Sequence, residues 1–359
     1  MYSIRPQIVI GLLVLSLHPA ASAELISSFD EGQLDTTVWN ACQIDQPPLT
    51  FEELTDAGGI KRRVLRNVVN PSTGNKDDDC NGVAAGGNAG LSVAVDEEPE
   101  SMGPSLVDPS PLDALDVAEC PTGTKEVQRN ELRLQNREDL KHDNTDPHWY
   151  SITFHADGEI PSCGSARWVL AQWKQEKHGP SPFLAERFDN GVLHVTVQNG
   201  NCRCVVAKAE GDIDAIIGFL DGGSSQAPPL AESKPIKCLR TDLPDDAPQQ
   251  SCEPTGMTVL TIGGTPPPPL PDPKREWVRM TYLVRNGSDG RGHIDVYAGR
   301  KFVVRVLGSI GYETDDPGKV KFKFGHYRDR IDSTASVSVD SLCFSKDVNV
   351  CTPDLDVVP

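Results

Sequence analysis

The sequence has little basic charge and, beyond its first residues, no long apolar run. Its 359 residues include 34 Lys and Arg against 52 Asp and Glu, which gives a formal net charge of −18. This excess of acid argues against partners such as nucleic acid or anionic membrane surfaces, although a local basic groove could still bind an anionic substrate. No segment after residue 23 reaches the ~18 apolar residues that a membrane-spanning helix needs.

Helical periodicity is also scarce. Short runs in which apolar and polar residues alternate, separated by Gly, Pro, Asn and Asp, dominate the sequence instead. This pattern is typical of an all-β sandwich or barrel. The predicted strands are 126–134, 149–156, 167–174, 192–198, 277–285, 293–297, 301–307, 320–327 and 336–344.

Two stretches, at about 70–124 and 210–274, lack this clear alternation and are rich in Gly, Asp and Pro. Predicted strands continue on both sides of each stretch, so we interpret them as loop excursions from one domain rather than as domain boundaries. The domain would then cover 24–359. No internal repeat is visible in the sequence.

The first 23 residues match a secretory signal peptide. Arg5 supplies the positive start, residues 8–17 form the apolar run, and Ala21-Ser22-Ala23 fits the cleavage rule. The apolar run is too short for a permanent membrane anchor. We therefore expect a secreted or periplasmic protein that begins at Glu24.

Cysteine and histidine are not spaced as in a zinc site, and Cys202-Arg-Cys204 does not have a zinc-binding spacing. The ten cysteines form an even set in a chain that is expected to be exported, which favours disulfides over metal ligation. A bond between Cys42 and either Cys343 or Cys351 would suit terminal strands that lie side by side. The remaining pairing stays open.

The predicted strand at 320–327 has two different faces. Side chains alternate along a strand, so Lys321, Lys323 and Tyr327 share one face while two Phe side chains point to the other. Gly325 is on the same face as the lysines and the tyrosine and leaves room beside them. A tyrosine beside lysine on an open sheet face is equipped to hold an anion and to move a proton. The alternative is a half-buried strand with a solvated basic face.

Other predicted strands carry similar polar faces. An ordinary solvent-facing sheet shows Lys, Glu, Thr and Ser, whereas these faces also present Arg, Gln, His and Trp, as a groove for an acidic sugar chain would. The residues assigned to them are Arg129, Glu131 and Arg133; Trp149, Ser151, Thr153 and His155; Gln172 and Lys174; and His194, Thr196 and Gln198.

Three motifs together resemble the β-jelly-roll polysaccharide lyases, the group of heparin lyase I, glucuronan lyase and the family 7 alginate lyases. Segment 129–133 is similar to the Arg-(Ser/Thr)-Glu-Leu-Arg strand, 172–174 stands where those enzymes have Gln-x-His, and 321–327 looks like their Lys-x-x-x-Tyr strand. The resemblance spans about 126–344. It implies a concanavalin A-like jelly roll of two antiparallel sheets, with substrate on the concave face of one.

The resemblance also implies a polysaccharide lyase that cleaves a uronic-acid-containing polysaccharide by β-elimination. The C5 proton of a uronate is poorly acidic until cations or amide donors neutralise the neighbouring carboxylate, and the reaction then needs a base and an acid. By position in the motifs, Tyr327 would be the acid and base. Arg129 and Gln172 would neutralise the carboxylate.

Three further motif residues receive supporting roles from the same resemblance. Lys323 would favour the phenolate form of Tyr327, because it lies four residues away on the same strand face. Arg133 is a second candidate for bidentate carboxylate binding. Glu131 would orient the flanking arginines rather than react.

The general base departs from the family pattern. Lys174 stands where those enzymes have histidine; it remains a catalytic candidate, but the usual base is absent from that motif. His155, on a predicted groove face, is the best replacement, and His178 and His194 are weaker ones. Alternatively, Tyr327 carries out both proton transfers, which suits a syn-elimination.

The main alternative function is a non-catalytic, lectin-like carbohydrate-binding protein on the same sandwich, which needs the groove but no reactive tyrosine. Trp149 could stack on a sugar ring in either case, or pack in the core. A jelly-roll glycoside hydrolase needs two carboxylates across the scissile bond, and no strand carries a Glu-x-Asp-x-x-Glu pattern. An exported scaffold would fit the cysteines but not the basic groove.

The expected partner is an anionic polysaccharide, bound by a monomer that requires no cofactor. Calcium remains a candidate ligand, because the acid-rich turns at 77–79 and 143–146 could bind it, although solvated loops are commoner. The metal ligands, the polyuronate that is cut, and endo or exo action stay open.

Overall fold

Two antiparallel β-sheets make up most of the described part of the chain. The predicted signal peptide and most of the first loop excursion lie outside it. The computed structural model describes residues 25–29, 32, 34–35, 38–43, 49–55, 59, 61–74, 126–134, 146–158, 160, 167–177, 181–189, 191–209, 229–243, 248–314 and 318–358.

The strands are four to twelve residues long. In chain order they are β1 (Leu25–Ser28), β2 (Trp39–Gln43), β3 (Thr50–Thr55), β4 (Lys61–Val69), β5 (Val127–Leu134), β6 (His148–Gly158), β7 (Trp168–Gln175), β8 (Leu184–Asp189), β9 (Val192–Asn199), β10 (Cys202–Lys208), β11 (Leu230–Ser233), β12 (Lys237–Arg240), β13 (Met257–Ile262), β14 (Val278–Arg285), β15 (Gly287–Ala298), β16 (Lys301–Ile310), β17 (Val320–Asp329) and β18 (Ala335–Ser345), followed by the helix α1 (Val348–Cys351).

Strands that are distant in sequence pair with each other in both sheets. The eight-stranded sheet has the order β12-β10-β9-β8-β7-β17-β5-β2, and the ten-stranded sheet has the order β11-β13-β16-β15-β14-β6-β18-β4-β3, with β1 on β18. The expected jelly-roll sandwich of two antiparallel sheets is confirmed. Because β17 inserts between β5 and β7, the three motif strands are neighbours.

The core fills the space between the sheets. Tyr150, Ile152 and Phe154, which alternate along β6 with the residues of its predicted polar face, are buried. The Tyr150 ring packs against Trp173 and Phe322 of the opposite sheet, with centroids 5.4 and 5.3 Å apart. Inward-facing residues of both sheets thus interdigitate as in other sandwiches.

One carboxyl group lies inside this apolar layer. Glu186 of β8 is fully buried and accepts a 2.6 Å hydrogen bond from the Tyr282 hydroxyl of β14. Burial raises the pKa of Glu186 to about 7, although the hydrogen bond from tyrosine opposes the rise. In the interior, Glu186 therefore keeps its proton at pH values well above those at which an ordinary glutamic acid loses it.

The second predicted loop excursion contains regular structure. Residues 229–262 form β12 at an edge of one sheet and β11 and β13 at an edge of the other. The prediction of a loop is wrong for this part. Alternation does not reveal these strands, because they are only four to six residues long and lie among the Gly and Pro residues that mark turns.

Three disulfides occur within the described residues: Cys202–Cys252, Cys204–Cys238 and Cys343–Cys351. The expected bond from Cys42 to Cys343 or Cys351 is wrong, because Cys343 of β18 bonds to Cys351 at the end of α1. No helix of the described part is long and apolar enough to cross a membrane.

Candidate active site

The three motifs meet on one face of the eight-stranded sheet. Residues that lie opposite each other in paired strands point to the same face, and Tyr327 of β17 lies opposite Arg129 of β5. Lys323 lies opposite Arg133 of β5 on one side and Gln172 of β7 on the other. We call this surface, which carries Arg129, Gln172 and Tyr327, the groove face.

Glu131 lies at the centre of the motif residues. Its carboxylate is fully buried, accepts a short hydrogen bond from the Gln172 amide, and lies 3.7 Å from the Arg129 guanidinium. Burial raises the pKa of Glu131, while the charges of Lys323 and Arg129, the hydrogen bond from Gln172 and the charge of Lys174 oppose the rise. The Glu131 carboxyl group thus contacts one residue of its own motif and one of the second motif.

The half-buried Tyr327 ring lies between two guanidinium groups. Arg129 and Arg167 place their Cζ atoms 4.7 and 4.8 Å from its centroid, within the range of a cation–π contact. Asp329 holds Arg167 through an ion pair of 2.7 Å. Arg167 does not belong to any of the three motifs.

Lys323 has an unusual protonation equilibrium. Burial, followed by the like charges of Arg129, Lys174 and Arg133, lowers its pKa to about 8, although Glu131 raises it. The amine is therefore mostly protonated at neutral pH but loses its charge within a mildly basic range. Lys174 also lies on the groove face, opposite Lys321.

Gly325 has a structural role that differs from the predicted one. Its φ is +133°, and a Cβ atom there would lie 2.3 Å from the Asn130 carbonyl oxygen. The pairing of β17 with β7 shifts between Phe324 and Tyr327, as at a β-bulge. The glycine is thus required by the backbone at the point that sets the position of Tyr327.

His194 is on the groove face but not beside the other candidates. It lies opposite Arg187 of β8, which lies opposite Val169 of β7, and Val169 in turn lies opposite Tyr327 of β17. His194 is therefore three strands from Tyr327. Three strand spacings of ~4.8 Å put His194 about 14 Å from Tyr327. Burial lowers the pKa of His194 to about 4. The structure does not bring this histidine to the motif residues.

A family model described as "Polysaccharide lyase" matches residues 83–343, more than two thirds of the chain. The chain belongs to the polysaccharide lyase family. The resemblance seen in the motifs is thereby confirmed, and the protein is an enzyme of the lyase class.

Solved structures that resemble the lyase cover most of its length at low identity. An endo-β-1,4-glucuronan lyase from the fungus Trichoderma reesei is 11% identical, with a TM-score of 0.46 over 92% of this chain and 98% of that one. A substrate-bound family 7 alginate lyase A1-II' is 12% identical, with a TM-score of 0.39 over 89% and 96%. A search of curated proteins finds no match to the lyase.

The structure corrects two candidates of the lyase's predicted groove. His155 and Trp149 belong to β6, which lies in the ten-stranded sheet, so their face points away from the groove face. His155 instead forms an ion pair of 3.2 Å with Asp157 and packs on Trp277. Trp149 packs against Tyr297, with centroids 6.0 Å apart. His178 lies outside the described residues.

The groove face of the lyase concentrates positive charge in a chain whose net charge is −18. Three nearby acids contact polar or basic side chains. Glu131 contacts Gln172 and Arg129, Asp329 contacts Arg167, and Glu176 lies 3.9 Å from Lys321. This face suits an anionic chain. Its cations are Arg129, Arg133, Arg167, Lys174, Arg187, Arg203, Lys321 and Lys323.

Sequence reasoning missed two arginines of this face that lie farther along the sheet. Arg187 lies on β8, where the buried Glu186 occupies an inner position and hides the expected alternation. Arg203 could have been found, because the cysteines on either side of it point inward.

A metal centre has little support among the described residues. The group of three potential ligands there, Cys202, Cys204 and Cys238, is consumed by disulfides. Asp146, from one of the acid-rich turns, binds Lys346 at 2.9 Å. The rest of both turns, 77–79 and 143–145, lies outside the described residues.

Proposed function

We propose that this polysaccharide lyase is exported and cleaves a uronic-acid-containing polysaccharide by β-elimination. The observation that carries the proposal is the arrangement around Glu131, where Arg129 and Gln172 contact its carboxylate and Lys323 and Tyr327 lie on the same face. Guanidinium, amide, amine and phenol groups are thus available to a single sugar residue.

The first step neutralises the substrate carboxylate. The Arg129 guanidinium and the second N–H of the Gln172 amide can donate to a substrate carboxylate that lies over Glu131, and Arg133 can add a bidentate contact. Neutralisation acidifies the C5 proton, because negative charge that develops on the carboxylate in the transition state is stabilised by donors already in place.

The second step transfers the proton. Tyr327, acting as the phenolate, takes the C5 proton and becomes a phenol, and the C4–O bond breaks as the C4–C5 double bond forms. The glycosidic oxygen leaves with the proton of that phenol, which restores the phenolate. His155 is in the other sheet and His194 is about 14 Å away by strand spacing. We assign both transfers to Tyr327, and Lys323 adds positive charge to the same face.

Ultraviolet absorbance of unsaturated uronate products tests this function. Wild type, Tyr327→Phe and a control, Tyr297→Phe in the opposite sheet, are assayed on glucuronan, alginate and glycosaminoglycans. We expect product with wild type and the control and a loss of at least ~10²-fold for Tyr327→Phe. Equal rates for Tyr327→Phe and wild type would overturn the mechanism. Tight binding without product from any substrate would support the lectin-like alternative.

Export and independence from metal are parts of the same proposal. The segment 8–17 and the cleavage site after Ala23 support export, and so do the disulfides, which persist in oxidising compartments. Amino-terminal sequencing of the secreted protein should begin at Glu24. We expect a monomer in gel filtration and full activity in a chelator, because Arg129 and Gln172 supply the neutralisation that a cation would otherwise provide.

A further inference from the structure

A second group of cations lies on the groove face away from Tyr327. Arg187 of β8 is only 7% exposed, and its Nε donates to the Thr196 hydroxyl at 2.9 Å. Burial and the charges of Arg203 and Arg167 lower its pKa. Among the described residues, no carboxylate forms an ion pair with Arg187.

Arg203 of β10 has a similar environment. It donates to Gln198 at 3.3 Å and to the Ser181 hydroxyl at 2.9 Å, both of which are neutral. Burial also lowers its pKa, and no acidic partner is found for it within the described part of the chain. Desolvated arginines are costly without a counter-ion, and among the described residues neither Arg187 nor Arg203 has one. This part of the groove face therefore favours the binding of an anion.

A phenol completes the group. The Tyr312 hydroxyl is buried and forms no hydrogen bond among the described residues. Its backbone is fixed on both sides by Gln175, which accepts from the Tyr312 N–H at 2.7 Å and donates to the Tyr312 carbonyl at 3.0 Å. Tyr312 interacts electrostatically with both Arg187 and Arg203. Within the described ranges, one hydroxyl donor and two cations therefore lack an anionic partner.

This group has a defined place along the groove. Arg187 is two strands from Tyr327, a separation of about 10 Å at ~4.8 Å per strand. Between the motif residues and Thr196, β8 presents only Ala185, which leaves the surface low. A 1,4-linked polyuronate that crosses the strands would place one sugar per strand spacing, and its alternate residues present their carboxylates on the same side.

We propose that Arg187, Arg203 and Tyr312 form a second carboxylate-binding site, which holds a uronate two residues from the one that is cleaved. The inference rests on the proposed function for the identity of its ligand. Oligouronates long enough to reach both sites should bind more tightly than short ones. The added affinity should depend on these three side chains.

Calorimetric titration tests the site independently of catalysis. In a Tyr327→Phe background, which leaves the ligand intact, glucuronate hexasaccharide and disaccharide are titrated into protein with Arg187→Gln or Arg203→Gln. We expect hexasaccharide affinity to fall at least tenfold, or about 1.4 kcal/mol, with little change for the disaccharide. Arg240→Gln, on exposed β12 and ion-paired with Asp242, should change neither. Alginate oligomers are titrated in the same way.

The outcomes separate the site from the proposed function. Equal affinity losses for both lengths, no loss, or no binding of either oligomer series would overturn the site. Hexasaccharide binding that depends on Arg187 would uphold it even if wild type formed no unsaturated product. If Arg187→Gln fails to fold, the test is carried by Arg203→Gln, which changes a less buried side chain, and by Tyr312→Phe, which removes only a hydroxyl group.

Discussion

Gln172 donates a hydrogen bond to Glu131 although their strands are not neighbours. Strand β17 lies between them, and the position opposite Glu131 on that strand is Gly325, which has no side chain. The contact passes over β17 at this point. The nearest neighbours of a Cβ atom at Gly325 would be the Asn130 carbonyl oxygen, the Asn67 side chain and the Glu131 Cα, so the glycine serves the backbone conformation of the strand that this contact crosses.

Glu131→Gln should separate anchoring from binding in the motif network. It removes the charge that holds Arg129 and Gln172, so we expect kcat to fall about 10- to 100-fold while KM falls or stays constant, because the groove face becomes more positive. The charge of Glu131 raises the pKa of Lys323, so the basic limb of the pH–rate profile should move to lower pH.

The matched control is Glu176→Gln, which removes an acid that lies 3.9 Å from Lys321 without touching the network. Steady-state kinetics across pH provide the measurement. An unchanged kcat for Glu131→Gln, or an equal loss in the control, would contradict the anchoring role.

Gly325→Ala should disrupt the bulge that positions Tyr327. The new Cβ would lie 2.3 Å from a backbone oxygen at a φ of +133°, so we expect a loss of about 3 kcal/mol in the free energy of unfolding and of most activity. Gly290→Ala is the control, since Gly290 has a φ of +86° but nothing within 4 Å of its Cβ position. It should lose only about 1 kcal/mol. Urea denaturation measures both, and equal losses would refute the steric cause.

Local alternation predicted the faces of several strands, because it requires only neighbouring residues. Leu132 and Leu134 point inward as expected, and the motif residues of β5 and β17 share the opposite face. It could not tell which sheet a strand joins. Alternation alone therefore predicts His155 on the groove face, although β6 pairs with β14 and β18 in the other sheet.

Register shifts and inward polar residues account for the other differences between the predicted faces and those in the structure. The pairing of β7 with β8 shifts between Val169 and Ala171, so Val169 faces the groove although strict alternation places it inside with Ala171. On β8, Glu186 points inward to Tyr282. Such positions depend on contacts with the second sheet, which the local pattern does not contain.

Lys323 should make substrate binding sensitive to mildly basic pH. Its pKa of about 8 means that the ammonium is present below that pH and lost above it, and a neutral amine no longer attracts a carboxylate. We expect KM of wild type to rise several-fold between about pH 7 and pH 9. In Lys323→Arg the rise should disappear, because a guanidinium stays charged to about pH 12. Lys321→Arg serves as the control, and parallel KM curves for Lys323→Arg and wild type would exclude this role.

Glu186 should make the fold less stable as pH rises toward neutral. Its folded-state pKa of about 7 exceeds the ordinary value of 4.5, so the folded state holds the proton more tightly than the unfolded state does. The stabilisation is complete below about pH 4.5 and is lost as pH rises through about 7.

Glu186→Gln, which mimics the protonated acid and can still accept from Tyr282, should remove this dependence. Wild type should lose up to about 3 kcal/mol relative to the variant across the interval. Glu176→Gln, at a half-exposed acid, is the control. Urea denaturation at a series of pH values measures the difference, and the hypothesis fails if the unfolding free energies of wild type and Glu186→Gln change with pH in parallel.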